Sequence, residues 1–466
     1  MKKSAVVVGV VVVLAVAYAG SSWYVGKRAE DLVRRIVKTE NGQLRQLGSS
    51  DASAVLAIDR YKRGVFSSDV VYSLTIRGSH DKDKPIVIKL ADHLDHGPFP
   101  IADLKKGRLR PVMAISHAQL LPTDATQQWF DVRADKAHAP VWALTTLGFS
   151  GTGKSVWQFQ PYKAPDGSVT FSGATATIDM SNQYRDGTLA AAFDDFGMKD
   201  DDDALRLRNV KIDSKTTTAD SGTITSQARA VIGSIVQTPH RGPPMASKDW
   251  HLALAGTRTG DMLDGTADYQ VGHIQSGATD LGSLRISAKV AHLDVKALDA
   301  LNAAYAEAHS AKPTEAQQAA LQEKALAFLA TEPVVAIDNL DWKTAKGETT
   351  GKASLQLTRP KVSESADIVQ AALQMVKGAS LNVSLSKPMI EGLLAQGSAE
   401  DPAADKSAVN ALMEQATTRL TRSGIARLDG DNLVSDLHYQ DGKIDVNGTK
   451  MPFGRFLVLC YSLLLS

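Results

Sequence analysis

Between Val70 and Val290 the apolar side chains recur with a period of two, with no helix of useful length until Leu293, and this pattern constrains the fold more than any other feature. Val70, Tyr72, Leu74 and Ile76 alternate with Val71, Ser73, Thr75 and Arg77, and Ile86, Ile88 and Leu90 alternate with Val87 and Lys89. Successive strand side chains point to opposite faces, so such segments read as half-buried strands. Val70, Tyr72, Leu74 and Ile76 are expected to face the interior, and Ser73, Thr75 and Arg77 the water. The alternation returns around Leu109 to Leu120, Val156 to Tyr162, Val169 to Met180, Leu205 to Asp213, Ile224 to Val231, Trp250 to Ala255 and Leu284 to Val290. Turn-forming pieces, Pro165-Asp166-Gly167 and Asp264-Gly265, punctuate it. Many strands in sequence without intervening helices predict a long antiparallel meander rather than βαβ units.

The period lengthens after Leu293. Leu298, Leu301 and Tyr305 mark one helix, and Pro313 with the capping box Thr314-Glu315-Ala316-Gln317 opens another that Pro333 stops. Strands are expected at Val334 to Ile337, Ala353 to Leu357 and Leu381 to Leu385. Further helices are expected at about 364–377, 388–395 and 407–423, with a loop over Ser398 to Lys406. Val409, Leu412, Met413, Ala416 and Leu420 stripe the last helix, which Gly424 ends. Leu437, Tyr439, Asp441-Gly442, Ile444 and Val446 read as a closing hairpin.

At the other end, Lys2 and Lys3 precede an apolar run from Ala5 to Ala19, extensible through Trp23 and Tyr24, with no charge until Lys27. Such a run reaches the ~20 residues of a membrane-crossing helix, and the two lysines orient its N-terminus to the cytoplasm. Ala17-Tyr18-Ala19 also fits a signal-peptidase site, so the run reads as a retained anchor or a cleaved peptide. Leu32, Val33, Ile36 and Val37 then lie at helical spacing among charges, predicting an amphipathic stalk. The expected organisation is a signal anchor over 1–25, a stalk over 26–48, a β-rich meander over 49–292, an α+β region over 293–452 and an apolar tail over 453–466. The expected fold class is α+β: a transmembrane helix, a long twisted antiparallel sheet and a C-terminal region with helices packed on strands.

Charge and cysteine content narrow the partners. With 52 basic and 51 acidic residues there is no bulk charge to draw the chain to nucleic acid. Cys460 is the single cysteine, so no intramolecular disulfide forms and stability rests on buried area.

Several short motifs occur in a fixed order: Trp23-Tyr24-Val25-Gly26-Lys27 entering the charged helix, Tyr61-Lys62-Arg63-Gly64-Val65-Phe66-Ser67-Ser68, His96-Gly97-Pro98-Phe99-Pro100, and Val446-Asn447-Gly448. In that order the chain resembles the YdgA-like family, bacterial proteins whose domain has no known function. The resemblance spans nearly the whole chain. It implies an inner-membrane-anchored, single-pass protein with a β-rich periplasmic body, and it carries over no catalytic residue. The motif residues of unknown role are Trp23, Tyr24, Gly26, Gly64, Phe66, Ser67, Ser68, His96, Gly97, Pro98, Asn447 and Gly448. The tail from Phe456 to Leu465 departs from the family pattern and reads as a terminal strand or a variant C-terminus.

Three segments imitate chemistry. Gly148-Phe149-Ser150-Gly151-Thr152-Gly153-Lys154-Ser155 matches the phosphate-binding loop letter for letter. Such a loop must run from a buried parallel strand into a helix N-terminus, whereas Val156-Trp157-Gln158-Phe159-Gln160-Pro161 alternates like a strand. A turn between antiparallel strands is expected there, with no nucleotide. Asp92-His93-Leu94-Asp95-His96 is the most metal-like cluster. On a strand, however, His93 and Asp95 share one face and Asp92, Leu94 and His96 the other, so neither face gathers three ligands. A polar loop ending in the Gly97-Pro98 turn is expected, with His96 fixing that turn by a backbone hydrogen bond. Asp200 to Asp203 lacks the glycine and glutamate spacing of a calcium loop and is expected to be a solvated connection.

No G-x-S-x-G elbow and no plausibly placed cysteine nucleophile are present. The expectation is a non-enzymatic envelope protein without metal or cofactor, holding lipid or another apolar ligand in a β-sheet groove. The alternative is a scaffold that docks an envelope or cell-wall protein.

Overall fold

The computed structural model describes residues 2–47, 53–77, 84–309, 314–360, 374–394, 402–440 and 442–465. The chain divides into two compact units, Met1–Thr217 and Thr218–Ser466.

The first unit opens with one unbroken helix, α1 (Lys2–Leu47). Strands β1 (Ser53–Arg63), β2 (Ser67–Arg77), β3 (Ile86–His96), β4 (Ala114–Leu121), β5 (Val141–Leu147) and β6 (Gly153–Phe159) follow. Each pairs antiparallel with the one before it. After the short β7 (Tyr162–Lys163) and β8 (Val169–Phe171), β9 (Ala174–Ser181) returns to pair with β6 and extends the sheet to β10 (Asp186–Lys199) and β11 (Ala204–Thr218). Tyr18, Ser22, Val25 and Ala29 fall three or four residues apart, Leu32 and Val33 follow Ala29 by three and four, and all share one face of α1. Val25, Ala29 and Leu32 pack on Met113, Ala114 and Leu147, and Val33 packs on Val70 and Leu94.

This packing corrects the reading of the N-terminus. Among the described residues no helix is long and apolar enough to cross a membrane. The physical reason lies at the junction: Tyr18 donates to the Phe99 carbonyl, while Ser22 and Val25 are buried within the unit. The stretch through Trp23 and Tyr24 that would complete a span therefore belongs to the folded body, and what precedes it falls short of ~20 residues. The anchor, and with it the single-pass inner-membrane placement with a periplasmic body, loses its support.

The second unit is a meander of long strands: β12 (Ile224–Thr238), β13 (Met245–Thr259), β14 (Met262–Ser276), β15 (Thr279–Asp294), β16 (Val334–Thr344), β17 (Gly347–Leu357) and β18 (Val376–Ser386), each antiparallel to its predecessor. After the short β19 (Arg427–Asp429), β20 (Asn432–Gln440) pairs with β18 and β21 (Lys443–Val446) with β20. Helices cover Val295–Ala308, Glu315–Leu329, Lys387–Leu394, Pro402–Arg422 and Phe453–Leu465. The Thr314/Gln317 capping box is present.

The expected fold class is thus corrected: the chain is mostly antiparallel sheet, and among the described residues no helix is long and apolar enough to span a membrane. Other local expectations also change. Asp264-Gly265 lies inside β14 rather than in a turn. The stretch before Ala114 is not strand, and part of the supposed loop before Lys406 is helix from Pro402. The apolar tail is helical, not a strand. The expected helix at 364–377 falls largely outside the described residues, as does Asp441 of the closing hairpin. Ser73, expected to face water, is buried and donates to Asp59 Oδ1 at 2.6 Å, because Asp59 and Lys89 form a polar nest on that face.

Candidate functional site

Most of the family-motif residues converge where α1 crosses the first strands. Gly64 and Ser67 close the β1–β2 turn, Gly64 N donating to Ser67 O at 2.8 Å, and Phe66 O receives His96 N at 2.8 Å. His96 and Ser68 are each 1% exposed. Val65 O accepts from His96 Nδ1 at 3.2 Å, and a carbonyl can only accept, so Nδ1 carries the proton. Nε2 is therefore the acceptor for Ser68 Oγ at 2.8 Å. Burial pushes the His96 pKa down and keeps the ring neutral.

Gly26 of α1 lies directly over that ring: a Cβ there would stand 2.3 Å from both Cε1 and Nδ1. Gly97 is equally confined, since a Cβ on it would meet Val112 O at 1.8 Å, and the Gly97-Pro98 bond is cis. Tyr18 stacks on Phe66 with ring centroids 5.7 Å apart. Trp23 lies beneath the Arg63 guanidinium at 5.4 Å, and Arg63 also reaches Glu30 at 3.1 Å. Tyr24, in contrast, is exposed and meets only Arg28 of its own helix in a ring contact.

A serine hydroxyl on a histidine suggests nucleophilic chemistry, but a nucleophile must be reached by its substrate and its base oriented by a third group. Here the third group is a carbonyl, and α1 seals the pair. The arrangement fixes a helix to a hairpin. Beside it Asp92, also facing α1, accepts from Ser116 Oγ at 2.7 Å, and burial raises its pKa.

Asn447 and Gly448 lie in the second unit. Asn447 adopts φ 51°, accepts from Asp436 N at 2.9 Å and donates to Gly424 O and Ile425 O at 2.8 and 3.0 Å. It ties the β20–β21 region to the end of the preceding helix.

Residues 148–152 form the turn joining antiparallel β5 to β6, with Leu147 opposite Gly153, and residues 153–155 already belong to β6. Gly148 N donates to Thr152 O at 2.7 Å, and Tyr184 clamps the turn through Gly148 O and Gly151 O, each at 2.9 Å. Gly151 N is also engaged within the turn, donating to Gly148 O at 3.3 Å, and strand β6 follows rather than a helix. Asp200 to Asp203 form the turn between β10 and β11, where Asp200 Oδ1 accepts from Asp202 N and Asp203 N.

The sequence leads one to expect an apolar sheet groove but not its residues, which form a continuous apolar face in the second unit. Leu254, Ala267, Ala288, Ile337, Ala353, Leu381, Leu437 and Val446 stand opposite one another across β13 to β21. A neighbouring row runs Val290, Val335, Leu355, Ala379, Tyr439 and Ile444. The reverse face carries Thr266, Lys289, Ser354, Ser380 and His438, with the buried Ala336 between Lys289 and Ser354. Eight strands at ~4.8 Å spacing give this apolar path a length of about 33 Å. It stays partly open to solvent: Leu254 is 44%, Val335 50% and Leu381 39% exposed. At one end Leu355, Val376, Leu381, Tyr439, Ile444 and Phe453 line a cavity of about 240 Å³. The signal was the alternation within each strand, but matching the rows required the register.

Comparison with known proteins gives the same whole-chain picture. Protein YdgA of Escherichia coli K12 is 27% identical over 98% of this chain and 96% of its own length. The uncharacterised protein YihF of the same organism is 24% identical over 98% of each. An uncharacterised Haemophilus influenzae protein is 24% identical over 42% of this chain and 53% of its own. No solved structure matches, and none of these relatives points to a catalytic family. The model of the family described as bacterial protein of unknown function (DUF945) matches residues 1–453, and the chain belongs to that family.

Proposed function

We propose that this protein is a non-catalytic binder of an extended apolar ligand, an acyl chain, laid across the strands of the second unit. The supporting observation is the in-register apolar row from Leu254 to Val446, exposed at Leu254, Ile337 and Leu381 and covered at its Val446 end. Contiguous exposed apolar surface on this scale marks a binding surface. A path that is narrow and long suits a flexible hydrocarbon. The cavity ending at Phe453 accommodates a chain terminus rather than a whole amphiphile.

The test is purification in mild detergent followed by mass spectrometry of copurifying lipid. Wild type is expected to carry lipid, and Leu381→Asp and Leu254→Asp to stay folded by circular dichroism while losing at least about tenfold of it. Both side chains reach solvent, so the introduced charge stays hydrated. Wild type free of lipid, or folded variants that retain it, overturns the reading. A stoichiometric protein in place of lipid would favour the docking scaffold.

A further inference from the structure

The metal-like cluster on β3 has a third member that its own strand could not supply. His117 of β4 stands directly opposite His93, and Asp69 of β2 opposite it on the other side. With Asp95 two residues along β3, these side chains occupy the sheet face turned away from α1. Asp95 lies between the rings: His93 Nε2 is 3.7 Å from its Oδ1 and His117 Nε2 is 3.7 Å from its Oδ2.

We propose that His93, His117 and Asp95 bind a divalent transition-metal ion of the zinc type, with Asp69 positioning His93. The Asp69 carboxylate accepts from His93 Nδ1 at 2.7 Å, which places the proton there and turns the Nε2 lone pair toward Asp95. A carboxylate holding the far nitrogen of a ligating imidazole is the usual outer partner of such sites. A lone pair aimed at a carboxylate is unfavourable unless a proton or a metal ion lies between them.

Among the described residues no three such side chains already stand at coordinating positions, and these do not either. Two donors at ~2.1 Å from a tetrahedral ion lie about 3.4 Å apart, and each imidazole stands 3.7 Å from a different oxygen of Asp95, so the rings must turn toward a shared point to hold one ion. Both rings are half-exposed, at 49% and 50%, so they can rotate and water can complete the coordination. Two imidazoles and one carboxylate select zinc, copper or nickel over calcium or magnesium.

The experiment is calorimetric titration of the full, chelator-stripped chain with Zn²⁺ at pH 7.5. One ion per chain is expected to bind with micromolar affinity. His93→Asn and His117→Asn should each weaken it by at least tenfold, and Asp69→Asn by about tenfold. His438→Asn, at a separate surface His–Asp pair 3.0 Å apart, should leave it unchanged. Circular dichroism confirms that each variant is folded. Binding absent from wild type, or unaffected by either His93→Asn or His117→Asn, overturns the proposal. Loss with His438→Asn alone assigns the metal elsewhere and overturns it equally.

Discussion

Replacing Gly26 with alanine tests the junction between α1 and the first strands, because the same exchange elsewhere on that helix should act in the opposite direction. A Cβ at Gly26 would meet the His96 ring at 2.3 Å. The ring cannot swing away freely, being fully buried and held by Ser68 and Val65. Overpacking of this kind costs about 1–3 kcal/mol. Displacing the ring would add about 1–3 kcal/mol for the buried polar group left unpaired. Alanine returns about 1 kcal/mol in helix propensity, leaving a net loss of about 1–5 kcal/mol. At Gly42, also in α1, a Cβ meets nothing within 4 Å, and alanine should stabilise by about 0.5–1 kcal/mol. Urea titration read by hydrogen-exchange mass spectrometry, on peptides covering 18–35, isolates this region from the second unit. Gly26→Ala should lower the midpoint and Gly42→Ala should raise or hold it. Equal shifts in the same direction would refute the reasoning.

Acidification should loosen the same junction. Burial lowers the His96 pKa, so below about 6.5 the unfolded chain takes up a proton that the folded ring resists. The stability this group contributes is complete above that pH and is lost as pH falls toward the folded value. Between pH 7.5 and 5.5 the wild-type midpoint should therefore drop more steeply than that of His96→Gln, and parallel slopes would count against it. Lys154→Ala should change stability by less than about 0.5 kcal/mol, since its ammonium is 61% exposed and 3.7 Å from Asp179. Specific ATP binding by wild type that the variant loses would overturn the assignment of the loop as a structural turn.

What the sequence made legible was mostly local. Alternation places Val70 to Ile76 on a strand because each position depends only on its neighbours, and the Thr314/Gln317 box is visible for the same reason. Partners across strands are not visible in this way. His117 lies 24 residues from His93, and nothing in either segment states the register that opposes them. The order of the family motifs was legible, while their convergence depends on the path of α1. That path also explains the misread N-terminus: an apolar helix face suits lipid and protein alike, and only Ser22 and Ala29, small residues packed tightly on the sheet, distinguish the two. Ser73 failed because a polar side chain was taken for a solvated one, when Asp59 on the adjacent strand offered an acceptor.

Consecutive pairing in the second unit also sets the unit of change available to it. From β12 to β18 each strand finds its partner next in the chain, so duplicating one hairpin inserts two strands and restores the original direction and facing. Each duplication would lengthen the apolar row by about 10 Å while leaving its ends unchanged. The meander thus works as a ruler graduated in hairpins, whose length can vary in steps without redesign of its surface.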